Sequence, residues 1–285
     1  LTTSPKPEDI QNSARVILAE YLACGIDPNK APIYVQSDVK ETLELYLYLN
    51  MNTYIGELGR VTTFKEKARK QPDNVNAGLF TYPTLMAADI LQHRAVKVPV
   101  GKDQEQNMEM ARKCARRFNN IYGVDFFPEP QNFYFNAKAV KVPGLDGSGK
   151  MGKSEGNCIY LHDDDKTITK KVMKAVTDSG PTELNSEKPQ VIENLFTFLQ
   201  ICSTQDTYDY FNEQWNNATI RYGELKKQIA QDICATVAPI RERITEFSSN
   251  KELLDKIAKQ GADAARESAS ATLKEVRKII GFRTL

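Results

Sequence analysis

The 285-residue sequence has no surplus of charge of either sign, no long apolar run and no paired cysteines. Lysine and arginine number 38 and aspartate and glutamate 37, a formal net charge of +1. This near-cancellation excludes a general affinity for nucleic acid or anionic membranes, so any contact with nucleic acid has to be a local patch. No apolar run approaches the ~18 residues of a membrane-spanning helix, and Leu1-Thr2-Thr3-Ser4-Pro5 lacks the character of a signal peptide, so the expectation is a cytoplasmic protein that contacts no membrane. The five cysteines, Cys24, Cys114, Cys158, Cys202 and Cys234, are odd in number and scattered, with no C-x-x-C pair. They read as small core thiols in a reducing compartment, and no structural metal is expected. Internal repeats and low-complexity tracts are absent too. What is present is ordinary globular material, 41% apolar and 26% charged, on a chain long enough for a sizeable core and two domains.

The first half alternates helix and strand patterns. Residues 7 to 23 read as an amphipathic helix, with acidic residues beside Pro7 at its start and Gly25 beyond its end. Ile33-Tyr34-Val35 reads as a strand, and Asp38 with Glu41 three residues later as the cap of a helix over KETLELYLYLN. A charged helix is expected around 56 to 69, and Pro83 sits well for a helix start in TYPTLMAADILQH. Val96 to Val100 reads as a short strand, Gly101-Lys102 as a turn, and DQEQNMEMARKCARRFNN as a long helix. That rhythm predicts a parallel α/β sheet. Near residue 163 it stops. Helical patterns then cover 189 to 203, 222 to 247, 251 to 260 and 265 to 280 without a convincing strand, which predicts a mainly helical second domain. The glycine-rich segment GLDGSGKMGKSEGN connects the two.

Within that connection, GSGKMGKS at 147 to 154 satisfies the P-loop pattern, while Lys150-Met151-Gly152-Lys153-Ser154 differs by one residue from the KMSKS loop of class I aminoacyl-tRNA synthetases. A P-loop needs a buried strand before the glycines and a helix starting at the Lys-Ser step. Neither is expected here. Glu155-Gly156-Asn157 reads as a turn, Cys158 to Leu161 as extended chain, and Pro143 and Gly144 interrupt the approach. The remaining readings are a solvated linker and a KMSKS-like loop.

A second constellation lies on TYPTLMAADIL. Tyr82, Met86 and Asp89 stand at i, i+4 and i+7, so a phenol, a thioether and a carboxylate share one helix face. A carboxylate in so apolar a helix needs a donor, and an ion pair with a neighbouring arginine or lysine would supply one. The next strand carries Val98 and Val100 on one face and ends in Gly101-Lys102-Asp103-Gln104 at a helix N-terminus, where α/β sheets bind ligands.

Taken in order, TYPTLMAADIL, VPVGKDQEQNMEMARKCARRFN, GKMGKSEGN, KAVTDSG and YGELKKQIA with APIRER resemble bacterial-type tryptophanyl-tRNA synthetases over nearly the whole chain. The resemblance implies a Rossmann-type parallel-sheet catalytic domain over 1–147, a KMSKS-like loop over 148–157, and a helical anticodon-binding domain over 158–261, with the C-terminal helix about 262–285 packing back on the first. It implies a homodimer that joins L-tryptophan to tRNA(Trp) through an adenylate, using ATP with substrate-borne Mg²⁺. Asp89 would accept from the indole N–H, which is a donor only. Tyr82 and Gln104 would hold the polar end of tryptophan, and Met86, Val98 and Val100 would line the ring pocket. Gly101, Asp103, Lys150, Met151, Lys153 and Ser154 would bind ATP, with Lys150 and Lys153 as the catalytic pair.

Two other readings share part of this pattern. A tyrosyl-type enzyme would resemble Tyr-x-x-x-Gln-x-x-Asp on the pocket helix, whereas this chain has Met86, a soft filler suited to a bicyclic ring. A non-catalytic synthetase-like paralogue would be free to lose Asp89, Gln104, Lys150 and Lys153. The helix KTITKKVMK, with Lys170, Lys171 and Lys174, fits a solvated face as well as a tRNA surface. Gly152 replaces the usual serine of the loop. The family's HIGH-like segment is absent, and the resemblance implies an N-terminal portion preceding Leu1.

Overall fold

A computed structural model of the protein describes residues 2–134, 141–152 and 155–283. In chain order the helices and strands are α1 (Pro7–Ala23), α2 (Glu41–Met51), α3 (Ile55–Leu58), α4 (Thr62–Lys70), α5 (Ala77–Leu91), β1 (Lys97–Pro99), α6 (Glu105–Tyr122), β2 (Gln131–Phe133), α7 (Asp165–Met173), α8 (Gln190–Cys202), α9 (Gln205–Asn216), α10 (Tyr222–Ser249) and α11 (Lys251–Ile280). They form two compact units. The first comprises Leu1–Leu18, Ile26–Ala137 and Lys251–Leu285, the second Ala19–Gly25 and Lys138–Asn250.

In the first unit, β1 and β2 pair in parallel with Val98 opposite Asn132, and α6 is the crossover between them. Parallel strands need such a connection, because no tight turn returns the chain in the same direction. The core gathers Leu45 and Leu49 of α2, Ala87 and Leu91 of α5, Met108 and Phe118 of α6, and Leu273 and Val276 of α11. The second unit is helical. Ile168 and Val172 of α7, Phe196 and Leu199 of α8, Trp215 of α9 and Leu225 of α10 share its core, and the Trp215 indole donates to the Ser186 carbonyl at 2.7 Å.

Several local expectations need correction. Ile33-Tyr34-Val35 is extended but pairs with no described strand. The supposed capping box does not form: Asp38 ends a 3-10 turn, Gln36–Asp38, and Glu41 instead accepts from Ser270 of α11 at 2.5 Å. The helix expected over 56 to 69 is broken into α3 and α4 by residues 59 to 61. Pro83 lies inside α5, which starts six residues earlier than expected because Asn76 caps it through the Leu79 N–H at 2.9 Å. α9 answers to no expected element; Thr204 caps it through the Thr207 N–H.

The C-terminal helix runs unbroken through Gly261, where two pieces were expected. The glycine is there for contact rather than for a bend. A Cβ at that position would lie 2.0 Å from the Ile33 carbonyl oxygen, so only the missing side chain lets the extended 33–35 segment press against α11. Backbone cannot retreat as a side-chain tip can. We predict that Gly261→Ala lowers unfolding stability by about 1–3 kcal/mol, the range of an overpacked interior. Urea denaturation checks this, and an unchanged midpoint would show that the approach is not rigid.

Candidate active site

One group of candidate residues grows from α5. Helical spacing places Asp89 one turn beyond Met86, and the extended 33–35 segment with its following 3-10 turn delivers Gln36 to it. The Gln36 amide nitrogen lies 2.8 and 2.7 Å from the two Asp89 oxygens. The partner is thus a neutral amide rather than the ion pair that the apolar helix suggested. Burial raises the Asp89 carboxyl above the usual carboxylate value, opposed by the Gln36 hydrogen bond.

Beside it stands Tyr34, whose phenol is pushed up first by burial and then by the charge of Asp89. The Tyr34 hydroxyl meets His93 Nε2 at 2.9 Å, and His93 Nδ1 meets Ser268 Oγ at 3.2 Å. Burial pulls the His93 imidazole down, which favours a neutral ring able to donate at one nitrogen and accept at the other. Beneath lies a buried pair in which Thr42 donates to Gln92 Oε1 at 2.8 Å.

The apolar candidates come together. Met86, Val98 and Val100 all pack, partly buried, on the core of the first unit. Tyr82 faces α4, where its hydroxyl bonds Thr63 Oγ1 and Lys67 Nζ lies 4.0 Å above its ring. After β1, Gly101 makes room for the next residues, since a Cβ there would meet Asp103 Oδ1 at 2.5 Å. Gln104 donates to Asp103 Oδ2 at 2.9 Å and accepts from Asn107 at 2.8 Å. Asn107 is buried, and its own Oδ1 has no partner among the described residues.

Another group of candidate residues lies in the second unit. Gly144 and Gly147 turn the chain into the loop, Gly147 with φ +86°. Asn194 of α8 donates to the Gly147 and Ser148 carbonyls at 3.0 and 3.2 Å. Lys150 is exposed, and Met151 packs, partly buried, on the helical core. Lys153 and Ser154 lie outside the described residues. Among the described residues the next α-helix is α7, starting at Asp165 with Asp164 as its cap, so none begins within the eight residues after Ser154. Lys171, one of the basic residues of α7, is 2.5 Å from Asp163 Oδ2 and is used inside the unit. No cluster of three or more histidine, cysteine, aspartate or glutamate side chains suited to a metal occurs among the described residues.

Residues 1–238 match the family model described as tRNA synthetases class I (W and Y). The chain belongs to that family. It is 70% identical over 283 residues to a tryptophan–tRNA ligase from Porphyromonas gingivalis, an alignment spanning 99% of this chain and 86% of the relative. A tryptophanyl-tRNA synthetase from Campylobacter jejuni, solved with ADP and tryptophan, superimposes with a TM-score of 0.84 at 33% identity, covering 99% of this chain and 86% of that one. One from Mycoplasma pneumoniae gives 0.80 at 27% identity, with 99% and 85% coverage. The fold is therefore that of a class I synthetase, a Rossmann-type parallel-sheet domain with a mainly helical domain, and the chain is an aminoacyl-tRNA synthetase.

Gln36, Asn107 and the Tyr34–His93 pair were not among the candidates drawn from the sequence. A raised carboxyl means that the folded state holds the Asp89 proton more tightly than the unfolded chain does. The stability this contributes is complete below the unfolded value and is lost as pH rises through the folded one. We predict that Asp89→Asn is more stable than the parent at neutral pH, with the difference closing as pH falls into the ordinary carboxylate range. Thermal melts across pH test this; a variant less stable at neutral pH would contradict it.

Proposed function

We infer that this synthetase activates L-tryptophan with ATP and transfers it to tRNA(Trp), releasing pyrophosphate and AMP. The identity of 70% to a tryptophan–tRNA ligase across nearly the whole chain carries this reading. Met86 supports it from the residues, because an apolar thioether stands where a tyrosyl-type pocket would need a partner for the phenol.

The chemistry asks little covalent work of the protein. The tryptophan carboxylate attacks the α-phosphate in line, the bond to pyrophosphate breaks, and the protein supplies position and compensating charge. Asp89 accepts the indole N–H, with Gln36 holding the carboxylate in place. Met86, Val98 and Val100 contact the ring. Tyr82 and Gln104 hold the polar end of the amino acid. Gly101 and Asp103 meet the ATP ribose, Met151 lies close to the adenine, and Ser154 belongs to the same ATP-binding loop. Lys150 and Lys153 steady the charge that develops on the leaving pyrophosphate. Mg²⁺ arrives with the nucleotide.

In this reading the helical domain expected over 158–261 binds the anticodon, its helices up to α10 lying in the second unit and α11 in the first. A homodimer is supported by apolar side chains left in water along α2 and into α3: Leu43, Leu47, Met51, Tyr54 and Ile55, of which Met51 and Ile55 are 75% and 76% exposed. Leu43, Leu47 and Met51 recur at helical spacing, and exposed apolar side chains on one helix face are what an association surface offers. No described helix is long and apolar enough to cross a membrane.

The deciding assay is amino-acid-dependent exchange of pyrophosphate into ATP, with tryptophan and tyrosine in parallel. Tryptophan should support exchange at least about 10²-fold better, because a pocket with Met86 in place of a polar partner leaves the phenol of tyrosine incompletely paired. Equal rates would favour a tyrosyl-type site, and no exchange with either would favour a binding paralogue.

A further inference from the structure

Two lysines that stabilise a leaving group help only if their loop returns to the same place at every turnover. The base of the Lys150–Lys153 loop is closed by one side chain, Asn157, which is only 5% exposed. Its Oδ1 accepts from the Gly152 N–H at 2.9 Å. Its Nδ2 lies 3.0 Å from Asp146 Oδ1, 3.0 Å from Ser148 Oγ and 3.1 Å from the Lys150 carbonyl. One amide therefore ties the chain entering the loop to the residue immediately before Lys153. The backbone repeats the closure, with the Leu145 N–H donating to the Asn157 carbonyl at 3.1 Å.

The surroundings are shaped for that amide. A Cβ on Gly144 would lie 2.2 Å from Asn157 Nδ2 and 2.4 Å from Asp146 Oδ1, so glycine there leaves the space they occupy. Asp146 is itself fixed by the Ser148 N–H at 3.0 Å and the Ser148 hydroxyl at 2.6 Å. No other side chain of similar size offers an acceptor to Gly152 and donors to Asp146 and Lys150 together. Aspartate would set a second carboxylate beside Asp146, and alanine would release both edges of the loop.

We propose that Asn157 is a positioning residue for the activation step, holding the backbone at Lys150 and Gly152 so that Lys150 acts on phosphate from one geometry. The inference rests on the reading of Lys150 and Lys153 given above. It differs from a purely structural role in predicting that the loss appears in kcat rather than in tryptophan affinity.

The test uses full-length protein in tryptophan-dependent pyrophosphate exchange, with thermal melts alongside. Asn157→Ala should lower kcat by about 10²-fold, the scale of a small displacement of catalytic groups, with the KM for tryptophan nearly unchanged. Lys150→Ala should then cost far less in the Asn157→Ala background than alone, because coupled sites do not add. A folded Asn157→Ala protein with parental kcat, or losses that multiply, would overturn the proposal. If Asn157→Ala does not fold, Asn157→Asp combined with Asp146→Asn reverses the donor and acceptor. This exchange should recover about tenfold over Asn157→Asp alone, and a folded double variant without recovery would equally overturn it. Parental protein lacking tryptophan-dependent exchange would remove the functional reading itself, whereas active parent with an equally active Asn157→Ala removes only this role.

Discussion

A carboxylate taken partly out of water needs donors, and the first unit supplies Asp89 with one neutral amide from Gln36. No arginine or lysine among the described residues pairs with it. An ion pair would have satisfied the charge more fully, and would also have occupied the acceptor that an incoming N–H requires. Gln36 bridges both oxygens with a single nitrogen, which holds the group in place while leaving lone pairs on each oxygen. The neighbours follow from this arrangement. Tyr34 turns its hydroxyl to His93, and the half-buried imidazole, pulled down by burial, lies between Tyr34 and Ser268. In the proposed reading, an indole that brings one donor to this carboxylate completes a set of hydrogen bonds that the protein leaves unfinished.

The second unit solves the opposite problem. In the proposed reading its loop presents the exposed Lys150. The constraint is moved to the base instead, where Asn157, Asp146 and Asn194 bind the flanking backbone. In the proposed reading, the first unit fixes a substrate through a partly desolvated acceptor, and the second fixes the chain beneath Lys150.

The sequence speaks most clearly where chemistry repeats along the chain. Helical periodicity located α1 at its observed bounds and most of α10, and the same spacing put Asp89 and Met86 on one face. Local rules failed where a distant residue decided the outcome. Pro83 signals a helix start, but Asn76 caps α5 a turn and a half earlier. Gly261 signals a break, but α11 continues because the Ile33 carbonyl needs the space. The site divides in the same way. Gln36 lies 53 residues from Asp89, and Ser268 lies 175 from His93, separations at which no periodicity carries information. Asn157 was within the quoted motif, yet its role at the loop base depends on a fold-back of the chain that spacing alone does not show.

The central claim is that Asp89 selects its ligand through one acceptor aimed at one N–H. Calorimetric binding of tryptophan and of its N1-methylated analogue, to the parent and to Asp89→Ala, isolates that bond. A hydrogen bond to a charged group is worth about 1.5–3 kcal/mol. The parent should therefore bind tryptophan at least about tenfold more tightly than the methylated analogue, and Asp89→Ala should bind the two alike. Equal affinities in the parent, or a preference that survives in Asp89→Ala, would contradict the account.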